Sequence, residues 1–294
     1  MIQITSPAAI RNIMQSHGIS CRKSLGQNFL VDNNIINKII ASAELAKSDL
    51  VVEIGPGLGA LTAQIASAAG KVIAVEVDRG LLAVLSEVLE GVQNLEVILD
   101  DALKIDFDRL VGESTGGEYG RSGKKYKLMA NLPYYITSPV LMHLLLGRFN
   151  ISIILIMIQA EVAERLAAPP GSKTYGSLSL AVQYFTVPEI LFRVPRTVFY
   201  PKPGVDSAVV RLTVRSEPAV VVRDENMFFN IVRSAFGQRR KTLLNSLAGS
   251  GLGIDREACL RALENAGIDP GRRGETLSMA EFASLTDSIL EVSG

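Results

Sequence analysis

Three glycines close together in one short segment are the first feature that could bind a ligand. Gly55, Gly57 and Gly59 stand in the sequence VEIGPGLG, between an apolar run and a predicted helix. Glycines at such a turn let the backbone approach a ligand closely. Glu76 follows at the end of the next apolar run, where a carboxylate can accept both hydroxyl hydrogens of a ribose. This spacing predicts a site for a cofactor that contains a nucleoside.

The glycine segment leaves two classes of cofactor open. Gly55-x-Gly57-x-x-Ala60 also fits the dinucleotide fingerprint, in which backbone N–H groups cradle a pyrophosphate. Pro56 removes one backbone donor from that loop. Because S-adenosylmethionine carries no phosphate, it does not need this donor. Pro56 therefore favours S-adenosylmethionine, while a nicotinamide dinucleotide stays open as the alternative.

The tetrapeptide Asn131-Leu132-Pro133-Tyr134 follows the fourth apolar run and indicates a reaction. An exocyclic adenine amine is a poor nucleophile because its lone pair is delocalised into the ring. The side-chain oxygen of Asn131 and the carbonyl of Leu132 could accept its two hydrogens and aim the lone pair at a methyl donor. Pro133 stiffens this turn, and Tyr134 can stack on the base. The segment predicts methyl transfer to an adenine amine by positioning and electrostatics, without a strong general base.

These residues follow apolar runs that alternate with helical patterns. The predicted strands, five apolar ones and a late hairpin, are 50–54, 71–77, 95–99, 128–130, 151–158, 197–200 and 207–214. Near-continuous apolar strands separated by helices are typical of a parallel sheet covered on both faces. We therefore expect an α/β, Rossmann-like methyltransferase fold with a mixed, mostly parallel seven-stranded sheet. Ligands of such sheets bind beyond the carboxyl ends of the strands, which predicts one common crevice.

The composition of the chain changes between residues 215 and 224. From Asn226 onward the sequence is strand-poor and helical in pattern, which predicts a small all-α domain. We expect a Rossmann-like domain with an N-terminal helical extension over residues 1–218, and a helical C-terminal domain over residues 219–294.

The bulk composition bears on the kinds of partner. Lys+Arg and Asp+Glu both total 30, so binding to RNA would depend on a local basic patch rather than on net charge. The chain has two cysteines and two histidines, which predict neither a metal site nor a disulfide framework. The apolar stretches are too short to span a bilayer. We expect a cytoplasmic protein that binds no metal and no membrane.

Taken together, these motifs show that the chain resembles the KsgA-type ribosomal RNA adenine N6,N6-dimethyltransferases over nearly its whole length. The resemblance runs through SLGQNFL, VEIGPGLGALT, VEVDR, DDA, NLPYYITSP, VFYPKPGVDSAV, FGQRRKTLLNSL and ETLS. It implies that S-adenosylmethionine donates the methyl groups and leaves as S-adenosylhomocysteine. It also implies that the target is two adjacent adenosines near the 3′ end of small-subunit (16S) rRNA, within a pre-ribosomal 30S-type particle late in assembly. We expect a monomer.

The same resemblance implies roles for individual residues. The implied cofactor contacts are Asn28, Leu30, Gly55, Gly57, Glu76, Asp101 and Asn131. Asp101 is chosen over Asp100 on this resemblance, since either carboxylate could accept from the cofactor's adenine amine or simply cap a turn. Phe199 would sandwich the target adenine opposite Tyr134. The candidates for contact with RNA come instead from the placement of charges: Lys202, beside Phe199, and Arg239, Arg240 and Lys241, in the first helix of the second domain.

One segment departs from the family pattern. Residues 112–125, GESTGGEYGRSGKK, are polar and rich in glycine and serine, and the segment is longer than we expect for the family. The composition predicts a mobile surface loop between the third and fourth strands, tolerated as an insertion.

Three other functions stay open on the sequence. An Erm-type methyltransferase of large-subunit (23S) rRNA would share the fold, the glycine loop and the NLPY-like tetrapeptide, although residues 236–247 look KsgA-like. An assembly factor that uses the fold without catalysis is disfavoured by the intact set of Glu76, Asp101 and Asn131–Tyr134. A DNA adenine methyltransferase offers no account of the helical C-terminal domain.

Overall fold

The computed structural model describes residues 6–22, 25–121, 123–238 and 240–293. Its α-helices are α1 (Pro7–Ser16), α2 (Asn33–Ala43), α3 (Ala60–Ala68), α4 (Leu82–Val88), α5 (Phe107–Thr115), α6 (Thr137–Leu146), α7 (Ala160–Leu166), α8 (Ser177–Phe185), α9 (Glu225–Gly237), α10 (Leu243–Ala248), α11 (Arg256–Asn265) and α12 (Met279–Ser293). Its strands are β1 (Phe29–Leu30), β2 (Leu50–Ile54), β3 (Lys71–Glu76), β4 (Leu95–Leu99), β5 (Tyr126–Asn131), β6 (Ile151–Gln159), β7 (Thr186–Val194), β8 (Phe199–Tyr200) and β9 (Ser207–Val214).

The main sheet has seven strands in the order β4-β3-β2-β5-β6-β9-β7. β2 is buried along its whole length and pairs in parallel with β3 on one side and β5 on the other. β3 pairs in parallel with β4, and β5 with β6. β9 runs antiparallel to β6, with Ile156 opposite Val210. The expected mixed, mostly parallel seven-stranded sheet is confirmed.

The late hairpin expected from residues 197–214 does not form. β8 pairs instead with β1 in a separate two-stranded sheet, in which Leu30 lies opposite Phe199. The other neighbour of β9 is the edge strand β7, which the sequence pattern did not reveal. The first error arose because the true partner of β8, residues 29–30, lies far away in the sequence, where no local pattern discloses it. β7 was not recognised as a strand because exposed and half-buried residues do not alternate regularly along it.

The segment 112–125 is only partly a loop. Its first four residues belong to α5, whose N-cap residue Asp106 accepts a hydrogen bond from the backbone N–H of Arg109 at 3.0 Å. Further on, the side-chain nitrogen of Asn150 donates to the carbonyl oxygens of Gly120 and Gly123, at 2.7 and 3.0 Å. The loop prediction was therefore wrong for residues 112–115, and two glycines further along the segment are hydrogen-bonded to the residue just before β6.

The chain folds as two compact units. The first comprises Met1–Ala163 and Glu189–Val214, and the second comprises Glu164–Pro188 and Arg215–Gly294. The sequence analysis expected one boundary near residue 218 and did not place residues 164–188 with the C-terminal helices.

Contacts within the second unit explain this grouping. In α8, the ring of Tyr184 lies 5.3 Å from that of Phe228, and its hydroxyl donates to the carboxylate of Glu225 at 3.1 Å. Phe185 stacks on Phe229, with ring centroids 5.8 Å apart. α8 is thus anchored on α9 by contacts between residues about 40 positions apart, which no local pattern discloses.

Among the residues that the structure describes, no helix is long and apolar enough to cross a membrane.

In the first unit, α1 packs over α3 and α4 on one side of the main sheet. Ser6 caps the helix by accepting from the backbone N–H of Ala9 at 3.1 Å. Its buried residues Ile10 and Met14 join a core cluster that includes Leu85. Another apolar cluster contains Ile36 and neighbouring residues of α2. The N-terminal helices therefore belong to the same compact unit as the predicted crevice.

Candidate functional site

A cavity of about 310 Å³ opens where β2, β3, β4 and β5 end. It lies entirely within the first unit, and residues 25–30 close part of it. Every residue predicted to contact the cofactor or the target adenine lines this cavity: Asn28, Leu30, Gly55, Gly57, Glu76, Asp101, Asn131, Leu132, Pro133, Tyr134 and Phe199. Its size is in the range of small-molecule sites in proteins.

The glycine turn after β2 uses its N–H groups internally. Gly55 donates to the carbonyl of Val75 at 2.9 Å, and Gly59 donates to the carbonyl of Pro56 at 2.9 Å. Gly57 donates to the carboxylate of Glu76 at 3.3 Å. Pro56 has no N–H group to offer. The three glycine N–H groups are therefore engaged within the turn, so the turn offers few free backbone donors to the pyrophosphate of a dinucleotide.

The turn also requires glycine for steric reasons. Gly57 has a φ of +59°, a left-handed conformation that other residues rarely adopt. A Cβ atom at this position would lie 3.2 Å from two ring carbons of Phe29. The β1 segment therefore packs directly on the glycine turn, and this contact brings residues 28–30 to the cavity.

The ionisable residues around the cavity are acidic. Glu53, Glu76, Asp100 and Asp101 line it. Within the described part of the chain, no lysine, arginine or histidine side chain does so. An anionic phosphate would meet carboxylates here and no cation among the described lining residues, whereas a cationic ligand would be attracted. The charge of the cavity thus favours a ligand with positive groups.

Glu76 is held by the backbone around it. Its side chain is 5% exposed, and its two carboxylate oxygens accept from Asp78 N at 2.8 Å and from Gly57 N at 3.3 Å. Burial raises the pKa of Glu76, while these backbone N–H groups act in the opposite direction. Asp78 is itself fixed by Arg22 at 3.1 Å and by Gln27 at 2.9 Å. The carboxylate therefore has a defined orientation at the end of β3.

Glu53 is a candidate that the sequence analysis missed. It is 1% exposed, it lines the cavity, and its Oε2 atom has no hydrogen-bond partner among the described residues. Burial raises the pKa of Glu53 to about 8; the Thr62 side chain acts in the opposite direction, and the charge of Glu76 adds to the rise. The available signal was an acid inside the otherwise apolar strand LVVEI. A buried acid with an unpartnered oxygen is costly for stability and is therefore a functional-site candidate.

Asp101 has a structural task as well as a place at the cavity. One of its carboxylate oxygens accepts from the backbone N–H of Leu103 at 3.0 Å, and the other lies 3.5 Å from the ammonium of Lys104. Asp100 accepts from the N–H of Asp101 at 2.7 Å. Asp101 therefore caps a turn, as the simpler interpretation has it, and it also lines the cavity.

The orientation of the Asn131 amide follows from its hydrogen bond. The side-chain nitrogen of Asn131 donates to the backbone carbonyl of Asn28 at 3.2 Å. Because a carbonyl oxygen can only accept, the nitrogen end must face Asn28 and the oxygen end must point away from it. The next residue, Leu132, donates its N–H to the carbonyl of Met157 at 3.2 Å. The Asn131 oxygen is thus presented as an acceptor by a turn that is tied to β6.

Tyr134 and Phe199 are the aromatic side chains expected to hold a base. The Tyr134 hydroxyl is hydrogen-bonded to the hydroxyl of Ser207 at 2.9 Å, and burial raises the pKa of Tyr134. Ser207 is buried at the start of β9 and was not singled out from the sequence. Phe199 is 4% exposed and packs in the core cluster with Leu30 and Val209. Only the part of the Phe199 side chain that lines the cavity is therefore available to a ligand.

The basic residues expected to contact RNA lie elsewhere. Lys202 is exposed after β8, and Arg240 and Lys241 are exposed in the turn between α9 and α10. Arg240 and Lys241 are therefore not in the first C-terminal helix, as the sequence analysis had them, because α9 ends at Gly237. Arg239 lies outside the described residues. Contact between these residues and RNA stays a prediction.

The fold and the acid-lined crevice together define a Rossmann-like methyltransferase. A family model described as "Ribosomal RNA adenine dimethylase" matches residues 18–289. The chain belongs to this family, and it is an adenine dimethyltransferase of ribosomal RNA.

Individual relatives agree with this assignment. The chain is 67% identical to a ribosomal RNA small subunit methyltransferase A from Pelotomaculum thermopropionicum, over 100% of both proteins. The structure is similar to a dimethyladenosine transferase from Plasmodium falciparum, with a TM-score of 0.74, 27% identity, and coverage of 90% of this chain and 98% of the other. It is also similar to the 23S rRNA methyltransferase ErmE, with a TM-score of 0.66, 26% identity, and coverage of 89% and 99%.

Proposed function

We propose that this protein transfers methyl groups from S-adenosylmethionine to the N6 atoms of two adjacent adenosines near the 3′ end of small-subunit rRNA. The observation that carries the proposal is the Asn131 amide, whose oxygen is fixed as an acceptor at the acid-lined cavity. The name of the 67% identical relative, which refers to the small ribosomal subunit, supports this choice of RNA. The protein would act in the cytoplasm as a monomer, on a late 30S-type assembly particle.

The charge of the cavity supports S-adenosylmethionine as the cofactor. This molecule carries a sulfonium and an ammonium group and no phosphate, so it suits a cavity with four carboxyl groups and no cation among the described lining residues. The Glu76 carboxylate would accept the ribose hydroxyls, and Asp101 would accept the adenine amine. Asn28, Leu30 and the glycine turn would line the remainder.

Binding of the target adenine would use the other end of the cavity. The Asn131 oxygen and the Leu132 carbonyl would accept the two hydrogens of the N6 amine and direct its lone pair outward. Tyr134 and Phe199 would hold the base between them. When bound, S-adenosylmethionine supplies an electrophilic methyl group on its sulfonium.

Proton release in this scheme needs no general base. The attacking N6 amine becomes cationic and acidic once it has gained the methyl group, so its proton can leave to solvent. The histidines agree with this scheme, because neither lines the cavity: His143 bonds to the carbonyl of Ile105 at 2.8 Å, and His17 bonds to Glu87 at 2.7 Å. Catalysis would rest on positioning and on the fixed acceptors.

Incubation with isolated ribosomal particles tests this proposal. The full chain is mixed with methyl-labelled S-adenosylmethionine and either undermethylated small subunits or free large-subunit rRNA. The proposal predicts label on the small-subunit rRNA. Label on the large-subunit rRNA alone would favour an Erm-type activity, which the likeness to ErmE makes the specific competitor.

A further inference from the structure

Tyr135 is a large aromatic residue that the structure leaves exposed at the cavity. It is 55% exposed and lines the same cavity as Tyr134. Both tyrosines belong to the single 3₁₀ turn Tyr134–Ile136 that follows Pro133. The hydroxyl of Tyr134 is hydrogen-bonded to Ser207, whereas that of Tyr135 has no hydrogen bond within the ranges that the structure describes. Neither burial nor a hydroxyl contact therefore accounts for a tyrosine at position 135.

The ring of Tyr135 has a defined support. A Cβ atom placed on Gly26 would lie 3.2 Å from Cδ1 of Tyr135 and 3.5 Å from Cβ of Pro133. The ring therefore rests against the bare backbone of Gly26, beside Pro133, and the remainder of it faces solvent at the mouth of the cavity. An exposed ring held in this way can present an apolar surface without reorganisation.

The chemistry of the substrate gives such a surface a use. When one adenine enters the cavity, its neighbours in the RNA strand must lie at the mouth. Proteins bind single-stranded bases by stacking them on aromatic side chains, and the interaction tolerates any base because every base has a π-face. An exposed ring such as that of Tyr135 therefore offers a neighbouring base a surface on which to stack.

We infer that Tyr135 forms a second base subsite, on which the nucleotide next to the target adenine stacks. The inference rests on the proposed function, because it takes the cavity to hold an adenine of a single RNA strand. A platform without base selectivity suits an enzyme that methylates two adjacent adenosines. Each adenine can enter the cavity in turn while a neighbouring base occupies Tyr135.

Kinetics with three variants test this subsite. Tyr135→Ala should lower kcat/KM for undermethylated small subunits by roughly 5- to 150-fold, the range expected for one lost base stack. Tyr135→Phe should stay within about twofold of the wild type, because it keeps the ring. The loss of kcat/KM in Tyr135→Leu should be nearly as large as that in Tyr135→Ala. The matched control is Leu146→Ala, since Leu146 is 54% exposed in the same unit but does not line the cavity; it should behave as the wild type.

Two further readouts separate stacking from a structural role. The affinity for S-adenosylhomocysteine should be equal in all variants, because Tyr135 is not expected to touch the cofactor. In small subunits reconstituted with 2-aminopurine beside the target adenosine, the wild type and Tyr135→Phe should quench its fluorescence, and Tyr135→Ala should not.

Several results would overturn the subsite. One is a Tyr135→Ala variant with the kcat/KM and the quenching of the wild type. Another is a loss of kcat/KM in Tyr135→Phe that equals the loss in Tyr135→Ala. The third is a loss of affinity for S-adenosylhomocysteine that parallels the loss of kcat/KM. In each case the wild type still methylates small subunits, so the proposed function stands. If the wild type transfers no methyl group to small subunits, the proposed function fails and the subsite fails with it.

Discussion

Glu53→Gln tests the electrostatics of the cavity through protein stability. The variant keeps the shape of the side chain and removes its ionisation. In the folded chain the Glu53 carboxyl has a pKa of about 8, against an ordinary value of 4.5. Between these pH values the folded state holds a proton that the unfolded state has released. The free energy of unfolding must therefore fall as the pH rises through this window.

The size of the effect follows from the same two values. From pH 5 to pH 9, ionisation of this one buried carboxyl should remove about 4 kcal/mol of stability. Glu53→Gln has no such loss. The variant should therefore gain stability relative to the wild type as the pH rises, by about 4 kcal/mol over that range.

Urea denaturation of the ligand-free protein at several pH values measures this difference. Glu90→Gln is the control, because Glu90 is exposed after α4 and its replacement should leave the pH dependence of the wild type unchanged. Parallel curves for Glu53→Gln and the wild type between pH 5 and pH 9 would refute the reasoning. They would mean that the Glu53 carboxyl is solvated or paired in the folded protein.

Three further predictions concern the reaction site and the glycine turn. Asn131→Ala should lower kcat by about 10²–10³-fold, as expected for loss of one fixed hydrogen-bonding group, and should cost only about 1 kcal/mol of stability; turnover near the wild-type value in single-turnover assays would contradict the mechanism. Ser207→Ala should lower kcat/KM a few-fold in the wild type but not in the Tyr134→Phe background, because the hydroxyl contact is then already lost; equal effects in both backgrounds in a double-mutant cycle would show that Ser207 acts otherwise. Gly57→Ala should weaken binding of S-adenosylhomocysteine at least tenfold by calorimetry, since the new methyl group meets Phe29 at 3.2 Å on a left-handed backbone; unchanged affinity would show that the turn adapts.

Much of the sheet could be predicted because most of its strands are apolar runs in the sequence. The predicted bounds of β2 and β4 coincide with the structure, and those of β3 differ by one residue. β7 and the pairing of β8 with β1 could not be predicted, because they depend on partners far away in the sequence. The placement of residues 164–188 with the C-terminal helices has the same cause.

The site divides in a similar way. The glycine turn, Glu76 and the tetrapeptide at 131–134 could be picked out by residue type and spacing, and the structure brings them to one cavity. Glu53 and Ser207 were missed because their significance comes from burial and from a partner in space, which a local pattern does not contain. The use of the glycine N–H groups likewise became visible only in the folded chain.

Mapping of the methylated nucleotides tests the central claim most directly. Undermethylated small subunits are incubated with the full chain and S-adenosylmethionine, and the rRNA is digested and analysed by mass spectrometry. The account predicts N6,N6-dimethyladenosine at two adjacent positions near the 3′ end of the small-subunit rRNA, and almost none with Asn131→Ala. Methyl groups on another atom of the base, or only on large-subunit rRNA, would contradict it.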